Sequence, residues 1–138
     1  MERSLVLVKP IATERGLAGA IIGRIQGAGL KLTALRMLHM DKAMAEQHYA
    51  VHKGKPFFND LVEHITSKPV IAAVFEGEGA IERIRKLVGA TDPAKAEPGT
   101  IRRDYGLDIR RNSTHASDSP ENAEKEIAIF FKDKEIFR

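Results

Sequence analysis

The segment from Asn112 to Phe131 reads NSTHASDSPENAEKEIAIFF and carries the clearest boundary signals in the chain. Its first five residues, up to Ala116, predict a short polar strand. Ser119 followed by Pro120 is typical of a helix start, because a serine hydroxyl caps free backbone N–H groups and proline fits the first turn. The segment therefore predicts a final strand followed by a final helix.

His115 lies near the end of this predicted strand, and the next helix brings carboxylates behind it. Glu124 and Glu126 flank the apolar stripe of that helix on opposite sides, and the helical wheel does not choose between them. A histidine with a carboxylate partner is a candidate nucleophile. The stripe itself consists of Ala123, Ile127, Phe130 and Phe131.

Three earlier apolar runs predict the other strands. The run Ser4–Lys9 is ended by Pro10 and reads as a buried central strand, Leu30–Met40 alternates loosely, and Pro69–Glu76 has the clearest strand pattern. Helical spacing connects them over 17–25, in a hairpin of two helices over 42–51 and 57–65, and over 80–88.

Residues 89–111 have no sustained periodicity, and a loop of this length with cationic and hydroxyl side chains favours a functional role. The order of elements predicts an α+β, ferredoxin-like sandwich with a four-stranded antiparallel sheet, an inserted helical hairpin and a long loop before the last strand. At 138 residues we expect a single domain over 1–138.

The composition excludes several classes of protein. The chain has no cysteine, which excludes disulfides and thiolate chemistry, and its formal net charge is only +3. Its start lacks the pattern of a signal peptide and no apolar run reaches bilayer length, so we expect a cytoplasmic protein with no membrane contact. Arginine and lysine cluster at 83–86, 102–103 and 110–111, which indicates an anionic ligand.

The sequence contains one pair of histidines with the spacing of a metal site, but it does not favour metal binding there. His48 and His52 are four residues apart on a predicted helix, a spacing that can bind zinc, but no third ligand accompanies them. We expect both histidines to face solvent. The glycines of residues 16–27 match no phosphate-binding loop and indicate close helix packing instead.

Several segments together resemble the nucleoside diphosphate kinase family, over about residues 2–131. The Asn-x-x-His-(Gly/Ala)-Ser-Asp signature beginning at Asn112 is the most specific of them. The others are Lys9-Pro10, Glu14-Arg15-Gly16-Leu17, His48-Tyr49, Lys55-Pro56-Phe57-Phe58, Gly89-Ala90-Thr91-Asp92-Pro93 and Pro98-Gly99-Thr100-Ile101-Arg102.

The resemblance implies transfer of the γ-phosphate from a nucleoside triphosphate to a nucleoside diphosphate through a phosphohistidine, with Mg²⁺ on the phosphates. It makes His115 the nucleophile, acting through Nδ1, and selects Glu126 over Glu124 as the partner that holds Nε2–H. Ser117 is expected to support that contact, and Asp118 is expected to reach the Mg²⁺ through water.

The resemblance also assigns the nucleotide contacts. Each part of the nucleotide would be met by a group of suited chemistry, with guanidinium groups on phosphate oxygens and an aromatic ring on the base. The phosphates would be held by Arg85, Arg102, Thr91 and Tyr49, the sugar by Lys9 and Asn112, and the base by Phe57, Ile109 and Leu61. Lys9 would also stabilise charge on the transferred group. Because the stacking clamp reads no base edge, we expect broad base specificity.

Several positions depart from the family pattern, among them Arg103 and Arg110, which replace common glycines in the long loop, and two that lie closer to the expected site. Ile11 stands where an aspartate is usual, and Ala116 replaces the commoner glycine beside His115. Neither removes an assigned group, so we expect an active enzyme that assembles as a homo-hexamer or homo-tetramer. A nucleic-acid binder and a catalytically idle interaction module are the alternatives; aromatic residues make up only 6% of the chain, which disfavours the first.

Overall fold

The structure is a computed structural model that describes residues Met1–Arg138. Its centre is one antiparallel sheet with the strand order β2-β3-β1-β4. The strands are β1 (Glu2–Val8), β2 (Lys31–Leu38), β3 (Val70–Gly77) and β4 (Thr114–Ala116). The prediction of a central first strand is confirmed, since β1 lies between β3 and β4.

Helices cover both faces of this sheet, which explains why β1 and β3 are apolar along most of their length. The helices are α1 (Pro10–Glu14), α2 (Ala18–Gly27), α3 (Lys42–His48), α4 (Phe58–Ser67), α5 (Ala80–Val88), α6 (Ile101–Tyr105) and α7 (Pro120–Phe130). Leu5 and Leu7 of β1 pack with α3, α4 and α7, whereas Val6 and Val8 pack with α2 and α5 on the opposite face.

Two boundaries differ from the predictions for a physical reason. The first helix of the hairpin ends at His48 rather than Val51, and the chain continues as a 3-10 turn over Ala50–His52. The long segment before β4 is not irregular throughout, because it contains a 3-10 turn (Pro93–Lys95) and α6. The Thr100 side chain caps α6, and a single fully buried residue, Ile101, anchors it; five residues are too few for a periodic signal.

The final strand and helix follow the predicted plan. Ser119 accepts a hydrogen bond from the Asn122 N–H at 3.1 Å, and Pro120 opens α7. The sheet with its crossing helices confirms the predicted α+β, ferredoxin-like architecture. None of the helices is long and apolar enough to cross a lipid bilayer.

Candidate active site

A cavity of about 650 Å³ opens where the helical hairpin, α5, α6 and the β4–α7 junction meet. Its walls contain all but one of the residues that the sequence assigned to a nucleotide site. They are Lys9, Tyr49, Phe57, Leu61, Arg85, Thr91, Arg102, Ile109, Asn112, His115, Asp118 and Glu126. Ser117 is the exception, because it is fully buried beneath the wall. Residues from distant parts of the sequence therefore converge on one cavity.

His115 is held from behind by a chain of hydrogen bonds. Its Nε2 lies 3.1 Å from Glu126 Oε1, and Ser117 Oγ donates to that same oxygen at 2.6 Å. The backbone N–H of Leu5 in turn donates to Ser117 Oγ at 3.0 Å. An ionised carboxylate accepts hydrogen bonds only, so Nε2 carries the proton and the lone pair of the neutral ring is on Nδ1.

The contacts of α7 show which of its two glutamates is the partner of His115. Glu124 points away from the cavity and pairs with Arg3 on β1. This hydrogen-bonded contact lowers the pKa of the Glu124 carboxyl. Glu126 points inward to His115, as the family resemblance implied.

Lys9 leaves the end of β1 and lies at the floor of the cavity. Its Nζ donates to Asn112 Oδ1 at 2.9 Å, and only 5% of the residue is exposed. Burial, helped by the positive charge of Arg102, lowers the pKa of Lys9 to about 7. Asn112 is fixed in turn, because its Nδ2 donates to the carbonyls of Thr91 at 3.2 Å and Ile109 at 3.1 Å.

The two arginines of the cavity are held very differently. Arg102 donates from Nε and Nη2 to the Thr114 carbonyl at 3.2 and 2.9 Å, and from Nη1 to the Gly89 carbonyl at 3.0 Å. Burial lowers the pKa of Arg102 to about 10, so it is still cationic at neutral pH. Arg85 is exposed and makes one contact, at 3.5 Å, with the Asp118 carbonyl. Arg102 is thus pre-oriented, whereas Arg85 is available to an incoming anion.

The far end of the cavity is apolar and aromatic. Phe57, at the start of α4, is half-buried, and Ile109 is 54% exposed. The ring of His52 lies 5.4 Å from that of Phe57. The Arg110 guanidinium pairs with Asp60 at 2.6 Å and lies 5.9 Å from the centroid of the Phe57 ring.

The prediction that His48 faces solvent was wrong. His48 is 8% exposed, and its ring packs edge-on against those of Tyr49 and His115, with centroid distances of 4.7 and 4.6 Å. Because α3 ends at His48, His52 follows on a different turn and does not pair with it as a zinc ligand. Burial lowers the pKa of His48 well below its usual value, so its ring is neutral. Ala45, three residues earlier on the same face of α3, is also buried.

The sequence of this chain matches a known protein family along nearly its whole length. The family model for nucleoside diphosphate kinase matches residues 2–136. A nucleoside diphosphate kinase of Dehalococcoides mccartyi is 58% identical over 136 residues, which are 99% of this chain and 96% of the relative. One of Archaeoglobus fulgidus is also 58% identical, over 99% of this chain and 90% of the relative.

Solved structures give the same result. The nucleoside diphosphate kinase of Aquifex aeolicus superposes with a TM-score of 0.95 at 45% identity, covering 98% of both chains. That of Halobacterium salinarum, solved in complex with CDP, superposes with a TM-score of 0.96 at 47% identity, covering 99% of this chain and 91% of the other. The chain therefore belongs to the nucleoside diphosphate kinase family.

Proposed function

We propose that this chain transfers the γ-phosphate of a nucleoside triphosphate to a nucleoside diphosphate through a phosphohistidine on His115. The observation that carries the proposal is the bond from Nε2 to Glu126, which leaves the Nδ1 lone pair as the nucleophile. Nδ1 attacks the γ-phosphorus, the bond to the β–γ bridging oxygen breaks, and the diphosphate leaves. A β-phosphate oxygen of a second diphosphate then attacks the phosphohistidine, and Nδ1 recovers its lone pair.

The cations of the cavity suit the phosphate chain. Arg102 has N–H donors left after its bonds to backbone carbonyls, and Arg85 has nearly all of its own. Both would neutralise phosphate oxygens as charge shifts during transfer. Burial raises the pKa of Tyr49, so its hydroxyl stays protonated and can donate, as can that of Thr91.

Lys9 and Asn112 form a rigid polar pair that we assign to the sugar hydroxyls. Asn112 Oδ1 accepts from Lys9 and its amide group is held by two carbonyls, so neither side chain needs to reorganise when ligand binds. The ammonium of Lys9 would also approach the transferred phosphoryl group and stabilise its charge.

Mg²⁺ fits this cavity as part of the nucleotide substrate rather than as a resident ion. Asp118 is the cavity carboxylate free to meet it, because Glu126 Oε1 is committed to Ser117 and His115. A hydrogen bond from Asn122 Nδ2, 2.7 Å from Asp118 Oδ1, lowers the pKa of Asp118, which is therefore ionised. One carboxylate acting through water, together with phosphate oxygens, is a usual arrangement for Mg²⁺.

Phe57 and Ile109, with Leu61 beside them, would sandwich the base. Every base has a π-face, so a stacking clamp supports the expected broad specificity. The bound CDP of the Halobacterium salinarum relative agrees with a nucleotide ligand of this size.

Replacing Phe57 by alanine should raise KM for purine and pyrimidine nucleotides alike, since stacking is worth about 1–3 kcal/mol per base. Steady-state kinetics with ATP, GTP and CTP measures the effect. Phe137→Ala is the matched control, because Phe137 is 75% exposed and lies outside the cavity. A change of KM for one base only would contradict a clamp that reads no edge.

Replacing Glu126 by glutamine should lower kcat about tenfold or more. The amide still fits the site, but a hydrogen bond to a charged group is worth roughly 1 kcal/mol more than a neutral one, and positive charge develops on the ring during phosphorylation. Single-turnover labelling from γ-labelled ATP measures the rate. Glu124→Gln is the control, because Glu124 pairs with Arg3 and should leave labelling unchanged. Equal labelling rates in both variants would contradict the proposal that Glu126 supports the phosphorylation of His115.

We further propose that residues 1–138 act as one domain in a cytoplasmic homo-hexamer or homo-tetramer. Leu35 and Met37 on the edge strand β2 are 56% and 64% exposed, and exposed apolar side chains on a sheet edge favour self-association. Light scattering on the purified protein distinguishes four copies from six.

The activity is tested by incubating the chain with Mg²⁺ and γ-labelled ATP. We expect label in an acid-labile, base-stable bond, and its release as nucleoside triphosphate when any nucleoside diphosphate is added. Acid-stable label would indicate a serine or threonine ester and would overturn the histidine route.

A further inference from the structure

His48 is the one buried titratable group of the cavity for which the proposed reaction has no use. Neither of its ring nitrogens has a hydrogen-bond partner, and both are shielded from solvent. Buried polar atoms are nearly always satisfied, so an unpartnered pair in a wall of a functional cavity points to an additional ligand or an ordered water.

The nearest candidates for a shared ligand are His115 and Glu126. One nitrogen of each histidine and one oxygen of Glu126 lie within 4.8 Å of one another. The side chains of His115 and Glu126 are 21% and 15% exposed, so both are largely buried but still line the cavity. Two imidazoles and one carboxylate with an open fourth position form a donor set that Zn²⁺ adopts in proteins.

We propose that His48, His115 and Glu126 bind a borderline divalent metal ion such as Zn²⁺, and that the bound ion prevents phosphorylation of His115. The binding stands independently of the proposed reaction, whereas the inhibition rests on it. The ion would replace the proton on His115 Nε2, so the ring proton would move to Nδ1 and the lone pair that attacks the γ-phosphorus would be lost.

The geometry needs only a small adjustment. Tetrahedral zinc with bonds of about 2.0–2.1 Å holds its donor atoms roughly 3.3 Å apart. The pair His115 Nε2 and Glu126 Oε1 is already 3.1 Å apart, and the three donor atoms lie within 4.8 Å of one another, so the remaining adjustment is a closer approach of the His48 ring. Ser117 Oγ, bonded to the same carboxylate oxygen, would orient that ligand from outside the metal's own contacts.

The donor set also favours a different ion from the Mg²⁺ of the substrate. Mg²⁺ prefers six oxygen ligands, whereas imidazole nitrogen suits Zn²⁺, Co²⁺ and Ni²⁺. Lys9, Arg85 and Arg102 line the same cavity and oppose any dication. Glu126 is the anion that offsets them within the ligand set.

Metal binding is tested on the purified full chain, without nucleotide and with Mg²⁺ in excess. Zn²⁺ is titrated against a chromogenic chelator, and Co²⁺ serves as a spectroscopic probe of four-coordinate geometry. We expect one ion per chain and at least a tenfold loss of affinity in both His48→Leu and His48→Asn. His52→Ala and His39→Ala are controls with unchanged affinity, and thermal unfolding checks that each variant is folded.

Other outcomes overturn the proposal. Absence of stoichiometric binding would leave a water molecule as the partner of His48. Loss of binding in His52→Ala as well would assign the ion to the His48–His52 pair instead, and retention in both His48 variants would place it elsewhere.

Inhibition is measured separately, with free Zn²⁺ set by a metal buffer because nucleotides themselves bind Zn²⁺. Labelling of His115 from γ-labelled ATP should fall as the ion binds to the unaltered chain. It should fall much less in the His48 variants, each compared with its own metal-free rate. Binding without inhibition would overturn the blocking role, whereas a chain that takes no label without metal would refute the proposed function and leave the binding result intact.

Discussion

His115→Ala is expected to abolish phosphoenzyme formation and to lower turnover at least about 10⁴-fold, the scale of loss when a covalent nucleophile is removed. The adjacent histidine, His48, does not offer the same chemistry. His48 is a neutral imidazole beside it, but its ring is enclosed by Tyr49, His115 and Phe130 and has no carboxylate to fix its tautomer. The alanine chain should therefore not transfer its reaction to the neighbouring histidine.

Nucleotide binding separates loss of chemistry from loss of structure. The phosphate, sugar and base contacts proposed above do not involve His115, so affinity for a nucleoside diphosphate should change by less than about tenfold. Calorimetry measures that affinity, and intact mass after incubation with ATP measures phosphorylation. His39→Ala is the matched control, because His39 is an exposed histidine whose Nε2 contacts the Thr66 carbonyl far from the cavity. Undiminished labelling in His115→Ala would sink the mechanism.

The elements that carry strong local signals were predictable from sequence. The run through β1 is apolar because both of its faces are covered, and Ser119-Pro120 caps α7 by local hydrogen bonding. The composition of the cavity was also anticipated, but by resemblance to a family rather than by periodicity. The wheel left Glu124 and Glu126 equivalent, whereas in the structure Glu124 pairs with Arg3 and Glu126 contacts His115.

The features that escaped prediction depend on tertiary contacts. α6 is stabilised by one buried side chain and a threonine cap, and neither produces a repeating pattern. His48 is buried because α3 packs against α4 and α7, which no spacing within α3 reveals. The orientation of Arg102 depends on two backbone carbonyls, of Gly89 and Thr114, that come from different segments.

The two departures from the family pattern that lie closest to the cavity, Ile11 and Ala116, leave its hydrogen-bonding groups in place. Ile11 is half-buried in α1, two residues after Lys9, and Ala116 packs its methyl group against the core on the α2 and α5 side. Neither side chain is among the hydrogen-bonding groups of the cavity. Their positions are consistent with an intact catalytic arrangement around His115.

Lys9→Met is expected to weaken activity strongly and to stabilise the fold. Removing a cation next to the transferred phosphoryl group should lower kcat by about 10²–10³. The same change removes the ammonium of a residue that is only 5% exposed, and because an apolar side chain avoids its desolvation cost we expect a gain of about 1–4 kcal/mol, the range found when buried ion pairs are replaced by apolar residues. Loss of the 2.9 Å bond to Asn112 Oδ1 offsets part of that gain.

The pH dependence of the free energy of unfolding tests whether the buried ammonium of Lys9 is what destabilises the unaltered chain. The pKa of Lys9 is about 7 in the fold against 10.5 for an unperturbed lysine, so the folded chain binds fewer protons than the unfolded chain between these values. The buried Lys9 ammonium therefore destabilises the fold fully below about pH 7, and this destabilisation fades as the pH rises toward 10.5. Chemical denaturation at pH 6, 8 and 9.5 should show the largest advantage of Lys9→Met at about pH 6. Lys68→Met, at a lysine whose side chain is 57% exposed, should show no such trend, and an advantage that grows with pH would contradict a buried ammonium at Lys9.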